Sequence, residues 1–231
     1  MALLDIVKDA AALLGLSPPS AVASAPDLTT QQLLAHATQA GKEVAAFHDW
    51  SGLSVGYAFA GDGVTTAFNL PSDFSRFAQG QLILLDGGWT RLNGPLDPRQ
   101  LTALRAQSVS TIANQFYRRG SVITVTPALD IGRSAIFEYV ANAWCVPTTG
   151  ANKTRFTLDS DTTIFDEDLV MLGLVWRWRK AKGMDYADDH EIWRQRCELA
   201  AGRDGPLVPV TAQSAMTELP DPVIPETIAV P

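Results

Sequence analysis

Two cysteines, three histidines and the lack of any apolar run near the length of a bilayer span set the first limits on this chain. A membrane-crossing helix needs ~20 consecutive apolar residues. Cys145 and Cys197 form no metal-binding or redox spacing, and read as two structural thiols of a reducing compartment. His36, His48 and His190 stand in unrelated contexts. None belongs to an HExxH pair, and neither a GxSxG elbow nor a phosphate-binding Gly-rich loop occurs. No residue can be nominated as a nucleophile with its base, so no enzyme class is indicated. Cations are in the minority: Lys and Arg total 18 against 25 Asp and Glu, a net charge of −7. That balance argues against a protein whose main task is gripping phosphates. The opening, MALLDIVKDAAALLGL, lacks a basic n-region and carries Asp5, Lys8 and Asp9, so it does not read as a secretory signal.

What is present supports a packed core. Hydrophobic residues are 46% and charged residues 19% of 231, which excludes wholesale disorder and allows one large domain or two small ones. Residues 2–14 have helical spacing through Leu3, Ile6, Val7, Ala10, Leu13 and Leu14, with Gly15 as the stop. After the break at Ser17-Pro18-Pro19-Ser20, Thr29 or Thr30 can cap a second helix running to about Phe47. Gly41 weakens that helix and is expected to mark close approach of another backbone.

The period changes after Trp50. The runs 54–60 and 64–70, joined by Gly61-Asp62-Gly63, predict a hairpin. QLILLDGGW predicts a second one. Asp97-Pro98 opens a short helix over 97–107. NQFYRRG, SVITVTP and RSAIFEYVANAW are three further strands, the last with Ala135, Phe137 and Tyr139 on one face and Ile136, Glu138 and Val140 on the other. Helical spacing returns at Asp166. From Leu169 to Trp178 only Arg177 is polar, which predicts a helix buried on nearly all sides. Gly183 closes it. Asp185 caps a last helix over about 186–202, with Tyr186, Ile192, Trp193, Cys197 and Ala200 as its apolar set.

Residues 205–231 differ in kind, with six prolines, no aromatic residue and only acidic charges, Glu218, Asp221 and Glu226. Such a segment favours extended structure. A disordered tail is one reading, but LPDPVIPETIAVP alternates apolar and polar residues, and Leu219, Val223, Ile224, Ile228 and Val230 would be costly to leave in water; with Pro220, Pro222 and Pro225 they predict a tail that orders on a partner. The expected class is α+β. A helical bundle is built from 1–50 and 158–204, a β-rich domain is inserted at 51–157, and an extended Pro-rich tail covers 205–231.

Three clusters carry possible chemistry. His48-Asp49-Trp50 reads as a helix-end cation with an aromatic anchor. Asp159-Ser160-Asp161 with Asp166-Glu167-Asp168 is acidic enough for a divalent cation, but lacks the Gly and terminal Glu of an EF-hand loop; helix capping is the better reading. Trp176-Arg177-Trp178-Arg179-Lys180-Ala181-Lys182 is the one basic stretch. Helical spacing puts Trp176 with Arg179 and Lys180, and Trp178 with Lys182. This reads as core tryptophans with a basic rim. Arg177, Arg179, Lys180 and Lys182 are then candidates for an inter-subunit or DNA contact.

The run LGLVWRWRKAKGMDYADDHEIWRQRCELA (172–200) resembles the C-terminal helical hairpin of head-to-tail adaptor proteins of tailed bacteriophages, the neck or tail accessory proteins related to tail tubular protein A of short-tailed phages. LLDIVKDAAALLGLSPPSAV with HDWSGL (48–53) resembles the start of that family, and FEYVANAW (137–144) its last β segment. The resemblance covers roughly residues 2–203. It implies a helical bundle with an inserted β domain and a structural role in the virion neck, without catalytic residues, cofactor or membrane contact. Such adaptors form a ring, commonly dodecameric, made in the host cytoplasm and docked on the portal. The ring extends the DNA channel without binding DNA specifically, and receives the tail tube or nozzle. A C-terminal segment that reaches the portal is also implied, a role that falls here on 206–231. Another neck or tail completion protein is the alternative reading. A nucleic-acid-binding protein using 176–182 is a second.

Overall fold

Residues 1–86, 90–100, 102 and 114–205 are described by the computed structural model. Apolar residues at helical spacing form the first helix, α1 (Leu3–Leu13), which buries Leu3, Ile6, Val7, Ala10 and Ala11. Gly15 ends it in the left-handed region at φ 68°. The Leu16 N–H then donates back to the Ala11 carbonyl at 2.8 Å, closing a Schellman-type turn. In α2 (Leu28–Phe47), the cap is Asp27 rather than a threonine. Its carboxylate accepts the Thr30 N–H at 2.8 Å, and Thr30 itself is buried. The helix therefore begins before the position expected from the threonines, because aspartate is at least as good a cap.

Helix α3 (Glu167–Ala181) starts at Asp166, whose carboxylate accepts the Asp168 N–H. It packs on α1, on α2 and on α4 (Ala187–Asp204), and buries Leu169, Val170, Leu174, Val175, Trp176 and Trp178. Such all-round burial is what an almost wholly apolar run requires. At Gly173 an added Cβ would lie 2.8 Å from the Ala40 Cβ, so α2 and α3 approach closely there. Trp193 of α4 donates its indole N–H to the Leu169 carbonyl at 3.0 Å. The start of α4 follows Tyr186, with Asp185 accepting the Ala187 N–H from one position further out than expected. Ile192, expected in the core, is instead 49% exposed on the outer side of α4.

Among the described residues ten strands lie between and beside these helices: β1 (Ser54–Ala60), β2 (Ala67–Asn69), β3 (Phe74–Phe77), β4 (Leu84–Leu85), β5 (Thr90–Arg91), β6 (Gln115–Arg119), β7 (Val122–Thr126), β8 (Ser134–Ala141), β9 (Cys145–Val146) and β10 (Thr162–Thr163). All named pairs are antiparallel. β8 is the organising strand. β1 pairs with it from Ser54↔Val140 to Ala60↔Ser134, while β4 and β3 share its other edge. A second sheet has the order β2-β7-β6.

The expected hairpin between 54–60 and 64–70 does not form, since β1 pairs with β8 and β2 with β7. The Gly61-Asp62-Gly63 turn is real but belongs to a corner. Asp62 accepts the Thr65 hydroxyl and the N–H groups of Thr65 and Val64, and these bonds hold its carboxyl down to about 2. The Gly61 and Gly63 N–H groups donate to the carbonyls of Arg133 and Leu129. The turn is thus braced against the neighbouring loop, and its two strands enter different sheets. The second predicted hairpin pairs β4 with β5, though residues 87–89 lie outside the described set. Asp97 caps the start of a helical turn at 98–100, accepting from Arg99 and Gln100. The rest of the predicted 97–107 helix lies outside the described residues, apart from position 102.

Two buried clusters result. One combines α1, α2, α3 and α4 and reaches into 51–157 to take in Leu53, Ala78, Val140, Trp144, Cys145 and Phe156. The other lies among the strands, with Phe59, Ile83, Leu85, Phe116, Ile123, Phe137 and Tyr139. β8 serves both. Ala135, Phe137 and Tyr139 face the strand cluster, whereas Val140 belongs to the helical one. Gly41 has a close neighbour, as its position in α2 predicts, but this neighbour is a side chain and not a backbone. An added Cβ would lie 2.2 Å from the Trp144 indole.

Candidate functional site

Most of the acidic stretch from Asp159 to Asp168 is engaged with backbone N–H groups or with cations. Asp159 accepts the N–H groups of Val22 and Ala23 at 3.0 and 2.7 Å. Its carbonyl and that of Asp161 accept the Leu4 and Leu3 N–H groups, which satisfies donors at the open N-terminus of α1. Asp161 is fully buried. Burial alone would raise its pKa. Lys153 at 2.8 and 2.9 Å, with the N–H groups of Thr157 and Leu158, outweighs burial and holds the carboxyl below its ordinary value. Glu167 pairs with the N-terminal ammonium. These groups form a staple that binds residues 1–4 and 22–23 to the loop ahead of α3 and to its first residue.

The basic stretch lies at the end of α3. Trp176 and Trp178 are core residues. Lys180 Nζ sits 5.7 Å from the Trp176 ring centre and Lys182 Nζ 4.5 Å from that of Trp178, the pairing expected from helical spacing. Lys182 also donates to Gln32 Oε1 at 2.9 Å, and Arg179 pairs with Asp189 at 2.5 Å. Arg177 is the least accessible of the four, with its side chain 10% exposed. It stacks on Trp176 and pairs with Glu43 of α2, but neither its Nε nor its Nη2 makes a hydrogen bond of good geometry among the described residues. Burial lowers its pKa to about 10. His36, on the same helix as Glu43, is held below its ordinary value by burial, with Arg177 and Lys182 adding to the effect. The sequence shows the four cations together. Their partners Glu43, Asp189 and Gln32 are invisible in it, because two lie on α2 and one on α4.

At the His48-Asp49-Trp50 corner, Trp50 is buried and donates its indole N–H to the Val44 carbonyl at 2.7 Å. Asp49 pairs with Arg76 of β3. Asp204, the last residue of α4, accepts both the N–H and the hydroxyl of Ser51, at 2.6 and 2.7 Å, with His48 Nε2 3.9 Å away. The C-terminus of α4 is thereby pinned to the short turn at Ser51–Leu53 that leads into β1. An open cleft of about 320 Å³ at Arg76, between α2 and β3, is lined by Lys42, Arg76, Asn142, Trp144 and Thr154. Arg76 is already held there by Asp49 and by the His48 carbonyl. Cys145 and Cys197 are both buried free thiols, and burial pushes each up to about 12. The proposed tail residues Leu219, Pro220, Pro222, Val223, Ile224, Pro225, Ile228 and Val230 lie outside the described residues.

These contacts bind and brace; among the described residues they do not converge on a nucleophile or a group of metal ligands. The model of the SU10 adaptor protein family matches residues 1–217, nearly the whole chain. The chain belongs to the SU10 adaptor protein family. It is therefore a bacteriophage structural adaptor, a virion component whose role is interaction with other virion proteins, in a kind of family that is typically non-enzymatic. The match ends at 217, so Leu219 to Val230 fall beyond it. No curated protein matches the chain. No helix among the described residues is long and apolar enough to cross a membrane.

Proposed function

We propose that this SU10-family adaptor assembles as a closed ring, dodecameric in the arrangement its sequence resembles, at the virion neck. The ring docks on the portal, extends the DNA channel and receives the tail tube or nozzle, as in proteins related to tail tubular protein A. The observation that carries this reading is the family match over residues 1–217. In the same proposal, 1–50 with 158–204 form the helical bundle, 51–157 the inserted β-rich domain and 205–231 the extended tail, whose residues 206–231 grip the portal.

The physical logic is consistent throughout. A ring needs a heterologous interface that closes on itself. The pinned end of α4 gives the tail a fixed point of departure, at Asp204. A net charge of −7 disfavours adhesion to passing DNA. Three of the four cations of the basic stretch have intramolecular charged or amide partners, which weakens the nucleic-acid-binding alternative.

Removal of residues 206–231 tests the reading. The truncated chain should keep its far-ultraviolet circular dichroism and its thermal transition, and should lose retention on purified portal rings. Portal retention equal to that of the full chain would overturn the assigned role of the tail.

A further inference from the structure

The outward surface of α4 divides into two stripes. On one, Glu191, Arg194 and Glu198 are paired with each other. On the other, Ile192 and Leu199 stand 49% and 57% exposed, and alternate with Arg196 and Arg203. Neither arginine makes an ion pair or side-chain hydrogen bond among the described residues. An amphipathic, cationic stripe beside a finished acid–base ladder is a surface that lacks its counterpart.

A surface of opposite character exists on α1. Its outward positions are Asp5, Asp9, Ala12 and Leu13, with Leu13 56% exposed. Asp5 accepts the Ala2 N–H at 3.2 Å, and Asp9 has no ion-pair partner among the described residues. Asp5 to Leu13 spans about 12 Å along the axis, and Arg196 to Arg203 or Ile192 to Leu199 about 10.5 Å. α1 and α4 both pack on α3 and scarcely meet, so the two stripes do not satisfy one another within one copy.

We infer that the Ile192–Arg196–Leu199–Arg203 stripe of α4 docks on the Asp5–Asp9–Leu13 stripe of α1 in a second copy of the chain, as the lateral contact of the assembly. The contact is heterologous, since each copy presents one donor and one acceptor surface, and repetition around an axis closes a ring. This inference rests on the ring reading proposed above.

Charge reversal gives a test with a built-in rescue. One variant carries Arg196→Glu and Arg203→Glu; the other carries Asp5→Lys and Asp9→Lys. All four positions are solvent-facing, and the thermal transition of each variant checks that it folds. Each variant alone should assemble at least about tenfold more weakly than the parent chain, by native mass spectrometry in the presence of purified portal rings. An equimolar mixture should recover closed rings of alternating composition, because only unlike neighbours then match. Independently, Asp9→Cys with Arg196→Cys in one chain should form disulfides between copies. Parent-like assembly by either variant alone, or rings lacking that cross-link, overturns the stripe contact while leaving the ring intact. A parent chain that stays a single copy on portal refutes the ring reading itself.

Discussion

Replacing Gly41 with alanine should destabilise the protein, although in an exposed helix the same exchange stabilises. Gly41 lies within α2, where alanine has a helix propensity about 1 kcal/mol better than glycine. The new Cβ, however, would lie 2.2 to 2.6 Å from three carbons of the Trp144 ring, against a normal carbon contact of about 3.5–4.0 Å. The ring would have to retreat by more than about 1 Å. It cannot do so freely, because Trp144 is 1% exposed, stacked on Phe165 at 5.9 Å and edge-on to Phe156 at 4.9 Å. Overpacking of this kind costs about 1–3 kcal/mol, and the constrained ring argues for the upper end. The net effect is a loss of about 2 kcal/mol, or about 4–8 °C in Tm for a chain of this size. Gly202→Ala is the matched control. Gly202 lies in α4 with nothing within 4 Å of an added Cβ, so alanine there should raise Tm by about 2–4 °C. Thermal unfolding followed by tryptophan fluorescence and circular dichroism reads both. A Gly41→Ala protein as stable as the parent would refute the packing argument.

Further outcomes follow from the same contacts. Asp161→Asn removes the charge facing Lys153 and should destabilise by about 3 kcal/mol near neutral pH, measured by urea denaturation. Because the folded carboxyl pKa is lowered, that contribution is complete above about pH 4, and the gap between parent and variant should close as pH falls through the lowered value. Cys145 and Cys197 should ignore a thiol reagent such as DTNB at pH 8 in the native protein, and both should react in denaturant; native labelling would contradict their burial. Arg177→Met should be neutral or stabilising, whereas Glu43→Ala, which strands the buried guanidinium, should cost about 1 kcal/mol; the reverse order would refute the view that Arg177 is poorly compensated.

The helices are legible in the sequence because their burial is written at short range. Leu3, Ile6, Val7 and Ala10 mark one face of α1, and the run from Leu169 to Trp178 needs apolar neighbours on every side. Strand pairing is not written so locally. A two-residue period identifies 54–60 as a strand but says nothing of its partner, which lies some eighty residues on in β8. The Gly-Asp-Gly turn looks the same whether it closes a hairpin or turns a corner. Gly41 signals a close approach without naming what approaches. Within the basic stretch, the tryptophan–lysine pairings come from helical spacing alone, whereas Glu43, Asp189 and Gln32 come from packing between elements. Ile192 shows the complementary limit: its apolarity suggests burial, yet the residue faces outward, where the proposed neighbouring copy would cover it.

The clamp between Asp204 and Ser51 fixes more than the last turn of a helix. It sets one origin for the 26 residues that follow Gly205, whose extended reach is bounded at about 90 Å. In the proposed ring every copy would then launch its tail from the same radius and height. Attachments that are individually feeble would act together, because once one tail had caught, the others would already be within range. Loosening the clamp, for instance by Ser51→Ala, would leave each tail chemically unchanged while blurring where it starts.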